Sequence, residues 1–212
     1  MSVHKLDESA RGVYIISATP FTEDGEVDLE STDRLVDFYI EKGVTGITVL
    51  GMMGEAQKMS PVESETFLKR VMKRLDGVLP VIVGVSGAGL DNLVQLSRLS
   101  MDLGAAGVMV APLPGLGTEQ KVYNYFSQVF EALGPDIPVC YQDYPFATRT
   151  EISVPLFSTM SARSRRAVVA VQRATPKTPR SRRTATAWRI RTPRDMERDA
   201  SSGPGGSKAE GA

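Results

Sequence analysis

The residues best suited to bind a small anion form a short loop, Gly51-Met52-Met53-Gly54-Glu55. Its two glycines leave the backbone accessible, so the amide N–H groups between them can approach an anion closely. Those amides remain whatever the two intervening side chains are. The loop therefore predicts a site for a small anion, built from backbone groups.

Tyr141 is the second candidate, because its phenol could act as a general acid or base. A tyrosine at a strand end is more often structural than catalytic, so the residue alone supports either interpretation. The chain has one histidine, His4, in a charged N-terminal segment, and one cysteine, Cys140. These counts exclude an intramolecular disulfide and any Ser-His-Asp or Cys-His site in the body of the chain. They also predict no metal site, and no nucleotide-binding fingerprint points to a cofactor.

The elements that must position these residues alternate between short apolar runs and longer amphipathic stretches. Five runs are apolar on consecutive positions, which is typical of parallel strands buried on both faces: Val13–Ser17, Gly46–Leu50, Val81–Val85, Gly107–Ala111 and Pro138–Gln142. Between them, helix signals such as the capping box that starts at Ser60 predict helices at Asp28–Lys42, Pro61 to about Asp76, Asp91–Leu103 and Glu119–Leu133. A further helix is expected to begin near Val154 or Pro155.

Five successive βα units are compatible with a doubly wound open sheet or with a (β/α)₈ barrel. The regular unit length and the chemistry of the two candidates favour the barrel. We therefore predict an incomplete (β/α)₈ TIM barrel of about five to six βα units. In such a barrel the functional residues gather at the carboxyl ends of the strands, where both candidates fall.

Four motifs, in order and at fitting intervals, carry a resemblance that covers residues of about 13–160. They are Ala18-Thr19-Pro20-Phe21 trailed by Asp24-Gly25-Glu26-Val27-Asp28, the loop 51–55, Gly104-Ala105-Ala106-Gly107, and Tyr141 followed by Gln142-Asp143-Tyr144-Pro145. In these motifs the chain resembles the dihydrodipicolinate synthase / N-acetylneuraminate lyase family. That family usually reads G-T-T-G-E or G-S-T-G-E in the second motif, and many members read Y-N-x-P in the fourth.

The resemblance implies a class I aldolase or lyase that forms a Schiff base with pyruvate or a related 2-oxo acid. It implies that Tyr141 is the proton-transfer tyrosine, and that Gly51, Met52, Met53 and Gly54 hold the carboxylate of the acid. It further implies a homo-oligomer. The absence of a signal peptide or apolar span in the sequence predicts a cytoplasmic protein that needs no membrane.

Several positions depart from the family pattern. Met52 and Met53 replace hydroxyl residues, and a thioether cannot relay a proton. Leu113 and Pro114 stand where dihydrodipicolinate synthases typically have tyrosines, which argues against a true dihydrodipicolinate synthase. Arg149 fits a solvated loop residue better than a carboxylate ligand.

The family mechanism needs a lysine at the end of the sixth strand, to form the imine. The unit spacing places that strand near residues 164–173, where the sequence has no lysine. Lys177 lies in a proline-flanked segment, and Lys58, in the loop after the second strand, fits a solvated residue. We therefore expect the chain to be inactive as an imine-forming enzyme.

The composition changes near residue 161. Residues 162–212 hold 13 of the 25 Lys+Arg and 4 of the 25 Asp+Glu, which leaves 12 and 21 for residues 1–161. We interpret 1–161 as the N-terminal part of the barrel domain and 162–212 as an arginine-rich tail, expected to be disordered. The tail is interpreted either as the product of a shifted reading frame or as a basic arm that binds nucleic acid or another anion. A third alternative is a pseudoenzyme that binds a 2-oxo acid without turnover. An open sheet with two unpaired edges is expected to be poorly soluble.

Overall fold

The architecture was determined from a computed structural model that describes residues 4–7, 9–163 and 187–188. Its sheet is built on five parallel strands: β1 (Tyr14–Ile16), β2 (Gly46–Val49), β3 (Val81–Gly84), β4 (Gly107–Val110) and β5 (Val139–Tyr141). Each strand pairs with the next one along the chain. This order lacks the reversal that defines a doubly wound sheet, and is the strand order of a barrel. The partial TIM-barrel prediction is confirmed.

Among the described residues, six α-helices follow or connect these strands: α1 (Leu29–Glu41), α2 (Pro61–Leu75), α3 (Leu90–Asp102), α4 (Glu119–Leu133), α5 (Pro145–Thr148) and α6 (Val154–Arg163). A short 3₁₀ helix, Ala56–Lys58, follows the loop after β2. The predicted capping box of α2 is present, since Glu63 N donates to Ser60 Oγ and Ser60 N donates to the Glu63 carboxylate. The short helix α5 was not predicted. The longest described helices have 15 residues, and none of the described helices combines the length and hydropathy of a bilayer span.

The sheet separates two apolar clusters. Its outer face, which includes Val49, Val83 and Val110, packs against the helices, and Phe67 and Phe126 are fully buried there. Its inner face carries a smaller cluster, which the N-terminal Leu6 joins: Tyr14, Ile82, Met109 and Cys140. Consecutive residues of a strand point to opposite faces, so each strand contributes side chains to both clusters.

The free edge of β1 is paired by a short antiparallel strand, β6 (Ala187–Trp188). Tyr14 is opposite Trp188 and Ile15 is opposite Ala187. No strand is predicted at these two positions from the sequence, because two residues are too few to show a period. The expectation of two unpaired edges is therefore wrong for β1. The sixth strand expected at 164–173, and nearly all of the tail, lie outside the described residues.

Candidate functional site

A buried hydrogen bond joins the loops that follow β1 and β2. Thr19 Oγ1 donates to the carbonyl of Gly54 at 2.7 Å. Below it, Ser17 N donates to the carbonyl of Thr48 at 2.8 Å, which extends the pairing of the two strands toward the loops. The first two motifs of the sequence thus form a single unit at the carboxyl end of the sheet.

The loop 51–55 begins and ends in a backbone conformation that side chains disfavour. Leu50, just before it, and Glu55, its last residue, both have φ of 53°, in the left-handed region. Such a residue costs about 1–3 kcal/mol and persists only where its surroundings impose it. Two turns fix the loop between these points: Gly54 N donates to Gly51 O at 3.1 Å, and Glu55 N donates to Met52 O at 3.2 Å.

These turns determine which amides of the loop can bind a ligand. The amide of Gly54 is already engaged, whereas those of Gly51, Met52 and Met53 donate no hydrogen bond to any described residue. The side chain of Met52 is half-buried, and that of Met53 is 53% exposed. Of the four residues predicted to hold a carboxylate, three therefore keep an amide N–H that is not used within the loop.

Strand β3 supports the loop by a very close approach. A Cβ on Gly84 would lie 2.2 Å from the carbonyl oxygen of Leu50, so only glycine fits at that position. On the inner face, a Cβ on Gly51 would lie 3.3 Å from the Met109 Cε methyl. The left-handed turn at Leu50 is thus packed directly on the neighbouring strand.

Tyr141 lies on the helix side of the sheet. Its ring centroid is 5.1 Å from that of Phe126 and 6.0 Å from that of Phe157. Its hydroxyl is buried without a hydrogen-bond partner among the described residues. Burial, and to a smaller extent the charge of Asp143, raises the pKa of this phenol well above its usual range. The proton-transfer role of Tyr141 stays a prediction that this placement does not support.

Gln142, rather than Tyr141, occupies the inner face at the end of β5. Gln142 N donates to Val110 O at 2.9 Å, as Val108 N donates to Pro138 O, so the extended pairing continues through Gln142. Strand alternation then places Gln142 on the face that Cys140 shares. The fourth motif contained this signal, because aligning Gln142-Asp143-Tyr144-Pro145 with Y-N-x-P puts Gln142 at the tyrosine position. The prediction of Tyr141 does not use this alignment.

The remaining candidates are exposed. Lys58 Nζ contacts Glu55 Oε2 at 2.5 Å, and the lysine side chain is 69% exposed. Arg149 is exposed and ends α5 with a left-handed φ of 52°. Both placements agree with solvated loop residues. The window expected for the imine lysine, and the cluster Arg180-Ser181-Arg182-Arg183, lie outside the described residues.

Comparison with known proteins adds two findings. A family model described as the Dihydrodipicolinate synthetase family matches residues 9–191, a range that ends beyond the change in composition at residue 161. The 4-hydroxy-tetrahydrodipicolinate synthase of Alkaliphilus oremlandii is 32% identical over 152 residues, which cover 71% of this chain and 51% of that protein. The chain spans about half the length of the curated relatives it matches.

Solved structures agree with this match. The dihydrodipicolinate synthase of Rhodopseudomonas palustris superposes with a TM-score of 0.77 at 42% identity, over 81% of this chain and 56% of that one. YagE of E. coli K12, a prophage protein of the dihydrodipicolinic acid synthase family solved in complex with pyruvate, superposes with a TM-score of 0.69 at 25% identity. That similarity covers 77% of this chain and 55% of YagE.

Proposed function

Because the chain belongs to the dihydrodipicolinate synthetase family, we propose that it carries the 2-oxo-acid-binding part of a Schiff-base lyase or aldolase site. The observation that carries this proposal is the loop 51–55. It presents three amides without partners among the described residues, between two left-handed residues, at the carboxyl end of the strands. The proposed ligand is pyruvate or a related 2-oxo acid.

The amides of Gly51, Met52 and Met53 would hold the carboxylate of that acid. Backbone N–H groups that donate to a carboxylate form charge-assisted hydrogen bonds, which are stronger than neutral ones. The loop is fixed by Thr19 and by its own turns, so little ordering is needed when the ligand binds. The thioethers of Met52 and Met53 move no protons, so the loop binds and orients the acid only.

The proposal further holds that this chain binds the acid without forming an imine. An imine requires a lysine amine, and the sequence has no lysine between Lys121 and Lys177. The side chain of Lys58 is 69% exposed and its Nζ is paired with Glu55. The absence of a lysine between Lys121 and Lys177 and the exposure of Lys58 both support the expectation that the chain does not complete the family reaction.

Calorimetric titration with pyruvate tests the binding step. We expect saturable binding of pyruvate and none of pyruvamide, which has the same shape but no carboxylate. Absence of pyruvate binding, or equal binding of pyruvamide, would contradict the proposal that the amides of Gly51, Met52 and Met53 hold a carboxylate.

Borohydride reduction in the presence of pyruvate, followed by intact mass measurement, tests the imine step. We expect no gain in mass. A gain in mass would overturn the second part of the proposal, and its loss in a Lys58→Arg variant would identify Lys58 as the amine, because a guanidinium forms no useful imine.

A further inference from the structure

The backbone of β1 presents one row of hydrogen-bonding groups to β2 and the opposite row to β6. Just after β1, Ser17 N donates to Thr48 O at 2.8 Å, so the backbone of Ser17 faces β2. The N–H and C=O groups of consecutive strand residues point to opposite sides, which directs those of Tyr14 and Ile16 to the other edge. That is the edge where β6 pairs, with Tyr14 opposite Trp188.

The cover that β6 gives to this edge is short. It consists of two residue pairs, Tyr14 with Trp188 and Ile15 with Ala187, and Ile16 lies beyond them. A two-stranded antiparallel pair is marginal by itself, and this one contributes only two residues to it. The strand β6 therefore occupies the edge of β1 while adding little to the sheet.

The segment beneath β6 has the character of an edge that pairs with other strands. Residues 13–17 read Val-Tyr-Ile-Ile-Ser, with none of the charges or prolines that protect many edge strands. β-Branched and aromatic residues favour strand pairing. Two copies related by a two-fold axis across this edge place their β1 strands antiparallel, which is the orientation that β6 adopts here. A second copy of this chain is thus a partner that the edge fits.

We propose that β6 caps the edge of β1, and that without this cap the edge binds β1 of a second copy of the chain. The backbone groups of Tyr14 and Ile16 exchange β6 for the second copy, so their hydrogen bonds are made in both states. A second copy offers the three residues of β1, whereas β6 offers two. The proposal does not depend on the binding of a 2-oxo acid.

Two proline variants test the cap. In an antiparallel ladder, the backbone of Trp188 faces Tyr14, and that of Ala187 faces away from β1. Trp188→Pro therefore removes an N–H that is directed at β1. Ala187→Pro is the matched control, because a proline on an edge strand is tolerated where its N–H side faces outward.

The molar mass of each chain is measured by light scattering over a concentration series, and hydrogen exchange is followed at residues 13–17. We expect the natural protein and Ala187→Pro to keep one mass throughout, and Trp188→Pro to form a species of twice that mass as the concentration rises. In Trp188→Pro, exchange at residues 13–17 should be fast in dilute samples and slow in concentrated ones. In the natural protein it should be slow in both.

Three results would overturn the proposal. Equal masses of the three chains at every concentration would show that β6 does not control association. Equal doubling in Ala187→Pro and Trp188→Pro would show that the N–H directed at β1 is not what prevents it. A doubled mass of Trp188→Pro with fast exchange at residues 13–17 would place the contact between copies away from β1.

Discussion

The loop after β2 and the end of β5 lie at the same edge of the sheet, yet they use their residues differently. In the loop 51–55, the groups proposed to bind the ligand are backbone amides. Replacing the family's hydroxyl residues by Met52 and Met53 therefore does not remove them. At the end of β5, only a side chain can reach the inner face, and a shift of one residue exchanges Gln142 for Tyr141. A site made of backbone amides can therefore be predicted from a sequence motif alone. A site made of side chains also requires the strand register, because the register decides which side chain lies on which face.

The largest expected effect concerns the support of the loop by β3. Gly84→Ala would place a Cβ 2.2 Å from the Leu50 carbonyl, and backbone on both sides prevents an easy adjustment. We expect the free energy of unfolding to fall by at least about 3 kcal/mol, measured by urea denaturation, with loss of pyruvate binding. Gly87→Ala is the matched control, because a Cβ there has no atom within 4 Å. Equal losses in the two variants would contradict the packing of Leu50 on β3.

The next effect concerns the connection between the first two loops. Thr19→Val keeps the shape of the side chain but removes the donor to Gly54 O, leaving a buried carbonyl without its partner. We expect a loss of about 1–3 kcal/mol in the free energy of unfolding and weaker binding of pyruvate. Thr66→Val serves as control, since the exposed Thr66 hydroxyl bonds only to Val62 O within α2. Unchanged pyruvate binding in Thr19→Val would show that binding by the loop 51–55 does not depend on this hydrogen bond.

The smallest effect concerns Tyr141. Tyr141→Phe removes a buried hydroxyl that has no partner among the described residues, so we expect the free energy of unfolding at pH 7 to rise by about 1 kcal/mol. A melt or denaturation series at neutral pH measures this change. A clear loss of stability would show that the hydroxyl has a partner.

The same variant alters the response to alkali. Burial raises the pKa of Tyr141, and raises that of Tyr125 to about 12, whereas an unfolded tyrosine titrates near 10. The unfolded chain therefore loses these protons first, so the stability present below pH 10 is lost as pH rises from 10 toward 12. Tyr141→Phe removes one of these tyrosines, so the decline of its free energy of unfolding should be shallower by about 1.4 kcal/mol per pH unit. Parallel declines would contradict the burial of Tyr141.

Much of the fold follows from local patterns. The helices begin at predicted signals such as the Ser60 capping box, and the five apolar runs contain the five parallel strands, because capping, amphipathicity and β-branched runs depend on neighbouring residues. The short helix α5 and the strand β6 have too few residues to form a periodic pattern. For β6, moreover, pairing with β1 joins parts of the chain that are distant in sequence.

By itself, the sequence determined the family, the order of the βα units and the position of the loop 51–55, because each depends on residue types at short spacing. Only the tertiary structure decided that Leu50 and Glu55 are left-handed, that the amide of Gly54 is already used, and that Tyr141 packs against Phe126 while Gln142 faces inward. These features follow from strand register and from contacts between residues distant in the chain. Such contacts fix backbone conformation and side-chain direction, which local propensity leaves open.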